Sequence, residues 1–210
     1  MARREPAAAA AAGPRGGAAG VRPGGDAGFA GFAVLGLFTA VSPSFLAQVL
    51  DVHNHAAEGF VVFSLLAAST VGQLASARLG EQAALVGGSA VLGVGALGIA
   101  LALLVASLPV LVVAAVVAGL GQGASFRAGL GAVGAASPEA QRAEVSSSFF
   151  VVTYVALSVP VIGVGAAAQG VGLTVAGVGF SVVVALLAAV AVAALLRRTA
   201  HQSWDASPGS

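Results

Sequence analysis

His53 and His55, two residues apart and flanked by Asp51 and Glu58, are the nearest this sequence comes to a metal-binding set. A structural or catalytic zinc site needs three or four convergent ligands. With no cysteine in the chain and no second cluster of ligating residues, the segment reads as a solvated loop, and no metal or cofactor is expected. Ser146, Ser147 and Ser148 form a hydroxyl run with no histidine or lysine in the neighbouring apolar sequence to activate it, so nucleophilic catalysis is not expected. Gly119-Leu-Gly-Gln-Gly123 lies in apolar sequence with no lysine after it and is no phosphate loop. No catalytic constellation is left, and an enzyme is not expected.

Five residues could instead contact a polar solute: Gln48, Gln73, Gln122, Arg127 and Tyr154. Each sits in an apolar stretch. Arg127 is the sharpest, because an arginine inside a membrane segment marks function unless its side chain snorkels out or pairs. Glu144 is its available partner, in which case the pair would be a structural clamp. Gln73 and Gln122 offer donors and an acceptor, suiting an interhelical bond or a ligand. The Tyr154 hydroxyl needs either a wet cavity or a neighbouring carbonyl.

The elements that carry these residues follow from composition. Of 210 residues, 58% are hydrophobic and 8% charged. A soluble domain has about 25% charged residues, and this chain could not cover a water-facing surface. The class is therefore all-α and polytopic. Apolar spans fall at about 28–50, 59–77, 83–104, 110–133, 145–168 and 171–196. Each has roughly the 20 residues that cross a ~30 Å hydrocarbon core. The breaks are Asp51–His55, Arg78–Gln82, Ser107–Pro109, Ser137–Arg142 and the short Gln169-Gly170 turn. Residues 1–27 are Ala, Gly, Pro and Arg with too little apolar bulk to offset ordering, so disorder is expected there. Ala7–Ala12 is too short and is broken by Gly13-Pro14-Arg15, which argues against a signal peptide. The six-span domain, 28–198, is followed by a polar tail over 199–210.

Arginine placement orients the spans. Six crossings put Arg3, Arg4, Arg15, Arg22, Arg78, Arg142, Arg197 and Arg198 on one side, with Arg127 leaning the same way, and leave the opposite loops without arginine. The positive-inside rule then makes both ends cytoplasmic. The absence of lysine beside abundant Ala, Gly, Val and Arg is what GC-rich codon usage produces, and it points to a bacterial inner membrane. The net charge of +1 says nothing about nucleic acid; with no basic face and interleaved aromatics, no nucleic-acid partner is expected, and lipid is the expected surround.

Polar residues are unevenly shared among the spans. The third has Ser89 and the sixth Thr174 and Ser181, whereas the other four carry most of the Ser, Thr, Gln and Arg. Since polar groups avoid lipid, the first, second, fourth and fifth spans should surround something and the third and sixth should face lipid. Gly119 and Gly123 sit at small-xxx-small spacing, and Gly163, Gly165, Gly172, Gly177 and Gly179 suggest further close approach. Pro43 and Pro160 interrupt backbone bonding within spans and would bend them, as hinges or simply as shape.

From about Phe29 to Arg198 the order of elements resembles the C-terminal six-helix half of a major facilitator superfamily (MFS) transporter. Gly72-Gln-Leu-Ala-Ser-Ala-Arg-Leu-Gly80 is similar to that family's cytoplasmic loop motif, a Gly followed by Asp-Arg, one residue and Gly. Arg78 and Gly80 match its core; Ala77 stands at the aspartate position, and the first Gly is one residue too distant. The run from Gly119 to Phe126, then Ser137-Pro138, Arg142 and Ser148 to Pro160, is similar to the tenth and eleventh helices of drug- or sugar-efflux-like members. The resemblance implies membrane transport of a small-molecule solute, with the first, second, fourth and fifth helices around a cavity. It implies gating or structural roles for Arg78, Gly80, Glu144, Pro43 and Pro160, and a second six-helix bundle as the other half. With one set of six spans, the chain would be a split or truncated product, or a half that pairs with another half or with its own copy. The competing expectation is a non-transporting scaffold, a regulatory subunit or an inactive remnant. No carboxylate lies mid-span to couple protons.

Overall fold

The computed structural model describes residues 17–135 and 137–205, with side chains described from 30 to 197 apart from 136. Among these, the regular structure is helical. The helices are α1 (Gly17–Gln48), α2 (His55–Ser76), α3 (Glu81–Leu104), α4 (Leu108–Ala135), α5 (Arg142–Val171) and α6 (Leu173–Asp205), with a 3-10 turn at Glu139–Gln141. All 6 are long and apolar enough to cross a membrane. The chain is a multi-pass, all-α membrane protein.

The helices run past the apolar spans, since backbone hydrogen bonding continues into the polar flanks. From Gly17 onward, part of the opening stretch expected to be disordered is helical; residues 1–16 lie outside the described region. The expected polar tail is likewise helical to Asp205, and residues 206–210 lie outside the described region. The last break also differs. Gln169 and Gly170 belong to α5, and the chain turns at Gly172, with φ 85° and ψ 154°. That region of backbone space is essentially open to glycine alone, so conformation, not polarity, places the turn.

The other ends are made by local chemistry. Asn54 caps α2 by accepting from the Ala56 N–H at 2.9 Å. Asp51 (φ 54°) and Ala106 (φ 48°) take left-handed conformations just beyond α1 and α3. There Val52 N–H reaches Leu46 O at 2.8 Å and Ser107 N–H reaches Ala102 O at 3.2 Å. These bonds satisfy carbonyls that a helix end would leave open. Pro109 stands in the first turn of α4, where its missing N–H costs nothing.

Packing gives two layers. A front row runs α2, α4, α1, α5; behind it α3 lies on α4 and α6, and α6 lies on α1 and α3. Lipid tails are as apolar as leucine, so little hydrophobic force draws helices together and close fit must do it. Glycine supplies that fit. A Cβ on Gly119 would meet the Leu65 carbonyl, and one on Gly123 the Ser69 carbonyl, so α4 touches α2 backbone to backbone, as the small-xxx-small spacing anticipates. Gly36 of α1 abuts the Leu157 carbonyl of α5 in the same manner. Gly88 and Gly95 of α3 lie against Ser125 and Ala118 of α4. By contrast, Gly165 and Gly179 face open space, and Gly163 has only the Phe180 ring edge at 3.9 Å, so these three do not mediate close approach.

The pairings repeat. Exchanging α1 to α3 with α4 to α6 turns α1·α5 into α4·α2 and α1·α6 into α4·α3, and leaves α1·α4 and α3·α6 unchanged; all of these pairs are packed, while the smaller α5·α6 and α1·α3 contacts have no counterpart in α2·α3 and α4·α6. Each triplet contains an odd number of crossings, so the second triplet is inverted in the membrane relative to the first. Leu37, Phe38, Phe45, Leu92, Ile99 and Leu111 are among the largest fully buried side chains between the layers.

Candidate functional site

The outer faces of the two layers differ. On α3 and α6, away from Glu81, Gln82 and Arg197 near their ends, the exposed bulky side chains are apolar, among them Val94, Leu97, Leu101, Leu186 and Val190, while Ser89 and Ser181 are buried. On the front row Thr39, Gln48, Thr70, Arg127, Tyr154 and Ser158 are exposed among apolar side chains such as Phe63, Leu74, Val113 and Ile162. The expected division between back helices and front helices holds for polar side chains. The four front helices form a row and do not enclose a space by themselves.

Most of the front-row hydroxyls are satisfied within their own helices. Thr39 donates to Leu35 O at 2.9 Å, Thr70 to Leu66 O at 3.2 Å, Ser147 to Ala143 O at 2.9 Å, and Ser158 to Tyr154 O at 2.9 Å. Such back-bonding lets serine and threonine sit in apolar surroundings without a wet neighbour. Hydroxyl content therefore says less about a cavity than the sequence suggests. Amide, guanidinium and phenol groups carry the information.

Gln122 is inside the wall rather than on it. It is 2% exposed and accepts a hydrogen bond from the Ser69 hydroxyl at 2.5 Å, joining α4 to α2. Gly31 of α1 leaves room for its side chain, with Gln122 Cγ 3.1 Å from where a Cβ would stand. Of the two readings open from sequence, the interhelical bond is the one observed.

Gln73 and Arg127 come together. Helices α2 and α4 run parallel, with Leu65 beside Gly119 and Ser69 beside Gly123, so this register brings Gln73 level with Arg127. Both line a cavity of about 500 Å³, which Ser76, Glu81, Phe126 and Gly131 also border. It opens at the end of the bundle that holds the Arg78 and Arg142 turns. Among the described residues Arg127 makes no ion pair, with Glu144 or with any other group. The clamp considered from sequence is not formed. Gln48 lies at the far end of α1, and Tyr154 stands 62% exposed on α5; neither lines this cavity.

Phe126 is the contributor that sequence reasoning passed over. Its ring is 5.3 Å from Phe32, 5.9 Å from Phe149 and 6.2 Å from Phe150, tying α4 to α1 and α5 beside the cavity. Ring separations of this size are favourable aromatic contacts. The signal available was four phenylalanines at one membrane depth, which needs the helix directions to read.

The remaining candidates are peripheral. Arg78 and Gly80 are exposed in the α2–α3 turn, and Gly80 has φ −61°, which any residue adopts. Glu144 is exposed in the first turn of α5, where a carboxylate favours the helix N-terminus. Helices α1 and α5 continue through Pro43 and Pro160, and Pro160 is buried. His53 pairs with Asp51 at 3.0 Å and His55 with Glu58 at 3.2 Å, as two separate exposed pairs. Among the described residues no group of three ligands could hold a metal. Compared with known proteins, the chain matches no family model and no curated relative.

Proposed function

We propose that this six-helix unit is one half of a secondary transporter of the major facilitator type. It moves a small solute across a cell membrane by rocking against a second six-helix bundle, carried on a partner or on the same polypeptide. The observation that carries this reading is the exchange symmetry of the packing, in which two triplets of opposite topology interleave. Inverted triplets within a six-helix half are the arrangement of such transporters, whose solute site lies between two halves. The polar side chains that the front row exposes among its apolar ones, and that the middle of the back helices lacks, support it further, since they would supply one wall of a cavity. In this reading Tyr154 faces the solute path, and Gln73 and Arg127 stand at its arginine-bearing mouth. By the arginine distribution both termini are cytoplasmic, and lysine-free composition favours a bacterial inner membrane.

The chain has no cysteine, so single cysteines report without background. In sealed membranes His53→Cys and Gln141→Cys should react with an impermeant thiol reagent from opposite sides. Tyr154→Cys should react as well, because the wall borders water, while Leu97→Cys and Leu186→Cys on the back helices stay protected by lipid. If Tyr154→Cys is as protected as Leu97→Cys, the front row borders no aqueous path. The chain would then be a scaffold and not a transporter half.

A further inference from the structure

The two ends of the front row, α2 and α5, each leave one stripe uncovered. On α2 it is Gly59, Phe63, Thr70 and Leu74; on α5 it is Ser147, Val151, Ser158 and Ile162. Both run at i, i+4, i+11 and i+15, a spacing that keeps four residues on one side of a helix. A Cβ on Gly59 would meet nothing within 4 Å. The Thr70, Ser147 and Ser158 hydroxyls donate to carbonyls of their own helices, so none needs water or a further partner.

Close contacts along the row fix the depth of one stripe against the other. Gly36 of α1 abuts Leu157 of α5, Gly31 of α1 stands against Gln122 of α4, and Gly119 and Gly123 of α4 stand against Leu65 and Ser69 of α2. Helix α4 is antiparallel to α1 and parallel to α2, so Leu157 is level with Val117 and with Phe63. Helices α2 and α5 run in opposite directions. To within one residue, about 1.5 Å, Gly59 is therefore level with Ile162, Phe63 with Ser158, Thr70 with Val151 and Leu74 with Ser147. Three of the four levels set a bulky side chain against a small one, and the fourth sets two of nearly equal shape together. Neither stripe contains a charged residue from its first position to its last.

We propose that the second bundle is a second copy of this chain, seated front to front, with α2 of each copy against α5 of the other. The inference rests on the transporter-half reading for the facing of the rows and adds the identity of the partner. Two copies inserted alike share one depth, and a two-fold axis along the membrane normal turns the row α2, α4, α1, α5 end for end. Both stripes of both copies are then used at once, as a closed isologous interface requires. Bulk meets small residue at matched depth, the close fit that helix association in lipid needs. A face that meets its own copy tolerates no unbalanced charge, and these stripes carry none; Arg127 is turned to the cavity beside α3. Helix α2 has 22 residues. Two seams about 30 Å long and about 11 Å wide cover roughly 700 Å² per copy, close to the ~800 Å² per partner of a stable complex.

Disulfide trapping between two differently tagged forms of the full chain, coexpressed and oxidised in native membranes, tests the pairing. The chain has no cysteine, and a bond joining the two tags is intermolecular by construction. Phe63→Cys with Ser158→Cys, and Leu74→Cys with Ser147→Cys, should give dimers carrying both tags. Phe63→Cys with Ser147→Cys, about 16 Å off level, should not, and neither should Leu97→Cys with Leu186→Cys on the back helices. Ser158→Phe sets a ring opposite Phe63 and should weaken dimerisation about tenfold, read by energy transfer between labelled copies as lipid dilutes them. Ser158 is exposed, so unchanged melting of this variant in detergent verifies folding. Absence of both matched disulfides, or equal trapping of the mismatched pair, overturns the assignment. If Tyr154→Cys still reacts with the impermeant reagent in that event, the transporter-half reading stands and its other bundle is a different one. If the matched disulfides form while Tyr154→Cys is protected, the two copies pair as a scaffold and the transport reading falls alone.

Discussion

Replacing Gly123 by alanine puts a methyl group where the Ser69 carbonyl oxygen already lies, and the Gln73 backbone nitrogen is 3.0 Å from the same point. Both neighbours are backbone atoms, so no side chain can swing aside; α2 and α4 must separate. Overpacking of this kind costs about 1–3 kcal/mol. Separation also stretches the Ser69–Gln122 bond, and interhelical bonds in membrane proteins are worth about 0.6 kcal/mol on average, up to ~1.7. Against this, alanine gains ~1 kcal/mol of helix propensity over glycine. Gly87→Ala isolates that gain, because nothing lies within 4 Å of its added methyl. The difference in unfolding free energy between the two variants should be about 2–4 kcal/mol, with Gly123→Ala the less stable. Equilibrium unfolding in mixed micelles with increasing denaturing detergent measures it. Gly36→Ala, which confronts the Leu157 carbonyl, should behave like Gly123→Ala. If Gly123→Ala is as stable as Gly87→Ala, the helices are not in backbone contact and the exchange symmetry loses its physical basis.

A double-mutant cycle on Ser69→Ala and Gln122→Leu should give a coupling of about 1 kcal/mol in the same assay; additive effects would mean that the bond is not made. The two unusual turns predict opposite signs. Ala106→Gly removes the left-handed penalty at φ 48° and should stabilise by up to ~1 kcal/mol. Gly172→Ala forces a side chain into φ 85°, ψ 154° and should destabilise by about 1–3 kcal/mol. Thermal unfolding of both variants checks the pair, and a shared sign would refute the turn assignments.

The span count and helical class could be read from the sequence because lipid imposes one requirement, a run of apolar residues, and Asp51, Arg78 and Glu139 interrupt it visibly. Interruption by conformation is harder to see. Gly172 carries no polar marker, and among several glycines only its φ distinguishes it. Glycine spacing identified the face of α4 that α2 covers, because Gly119 and Gly123 repeat on one side. The same logic failed at Gly165 and Gly179, since spacing defines a face and says nothing of what lies opposite it. The candidate site was legible as a set of residue types and not as a place. Gln73 and Arg127 meet because α2 and α4 run parallel in one register, whereas Gln122, a turn and a half deeper, is captured by Ser69. Register is a property of packing, and no single helix encodes it.

The interleaving of the triplets has a consequence for folding as well as for motion. Helix α5, from the second triplet, packs mainly on α1 of the first, with Gly36 against the Leu157 carbonyl, and buries Phe149, Thr153, Ala156, Pro160 and Val164 as a single stripe along one face. Helix α2, from the first, is held by α4 of the second through Val61, Leu65, Ser69, Gly72 and Ser76. Within its own triplet α2 makes few contacts, because α1·α2 is a thin seam, whereas α5 keeps a secondary contact with α6 beside its thin seam with α4. Neither triplet therefore contains the main partner of its own middle helix. Two fragments divided at Val105–Ser107, outside every helix, should be recovered folded only when coexpressed, and should copurify through α2·α4 and α1·α5. A helix-exchanged unit of this kind cannot rock one triplet against the other, so under the proposed function all six helices move together against the second bundle. A triplet that folds and resists proteolysis alone would show that the middle helices find partners locally, and both the interleaving and the single-body motion built on it would fall.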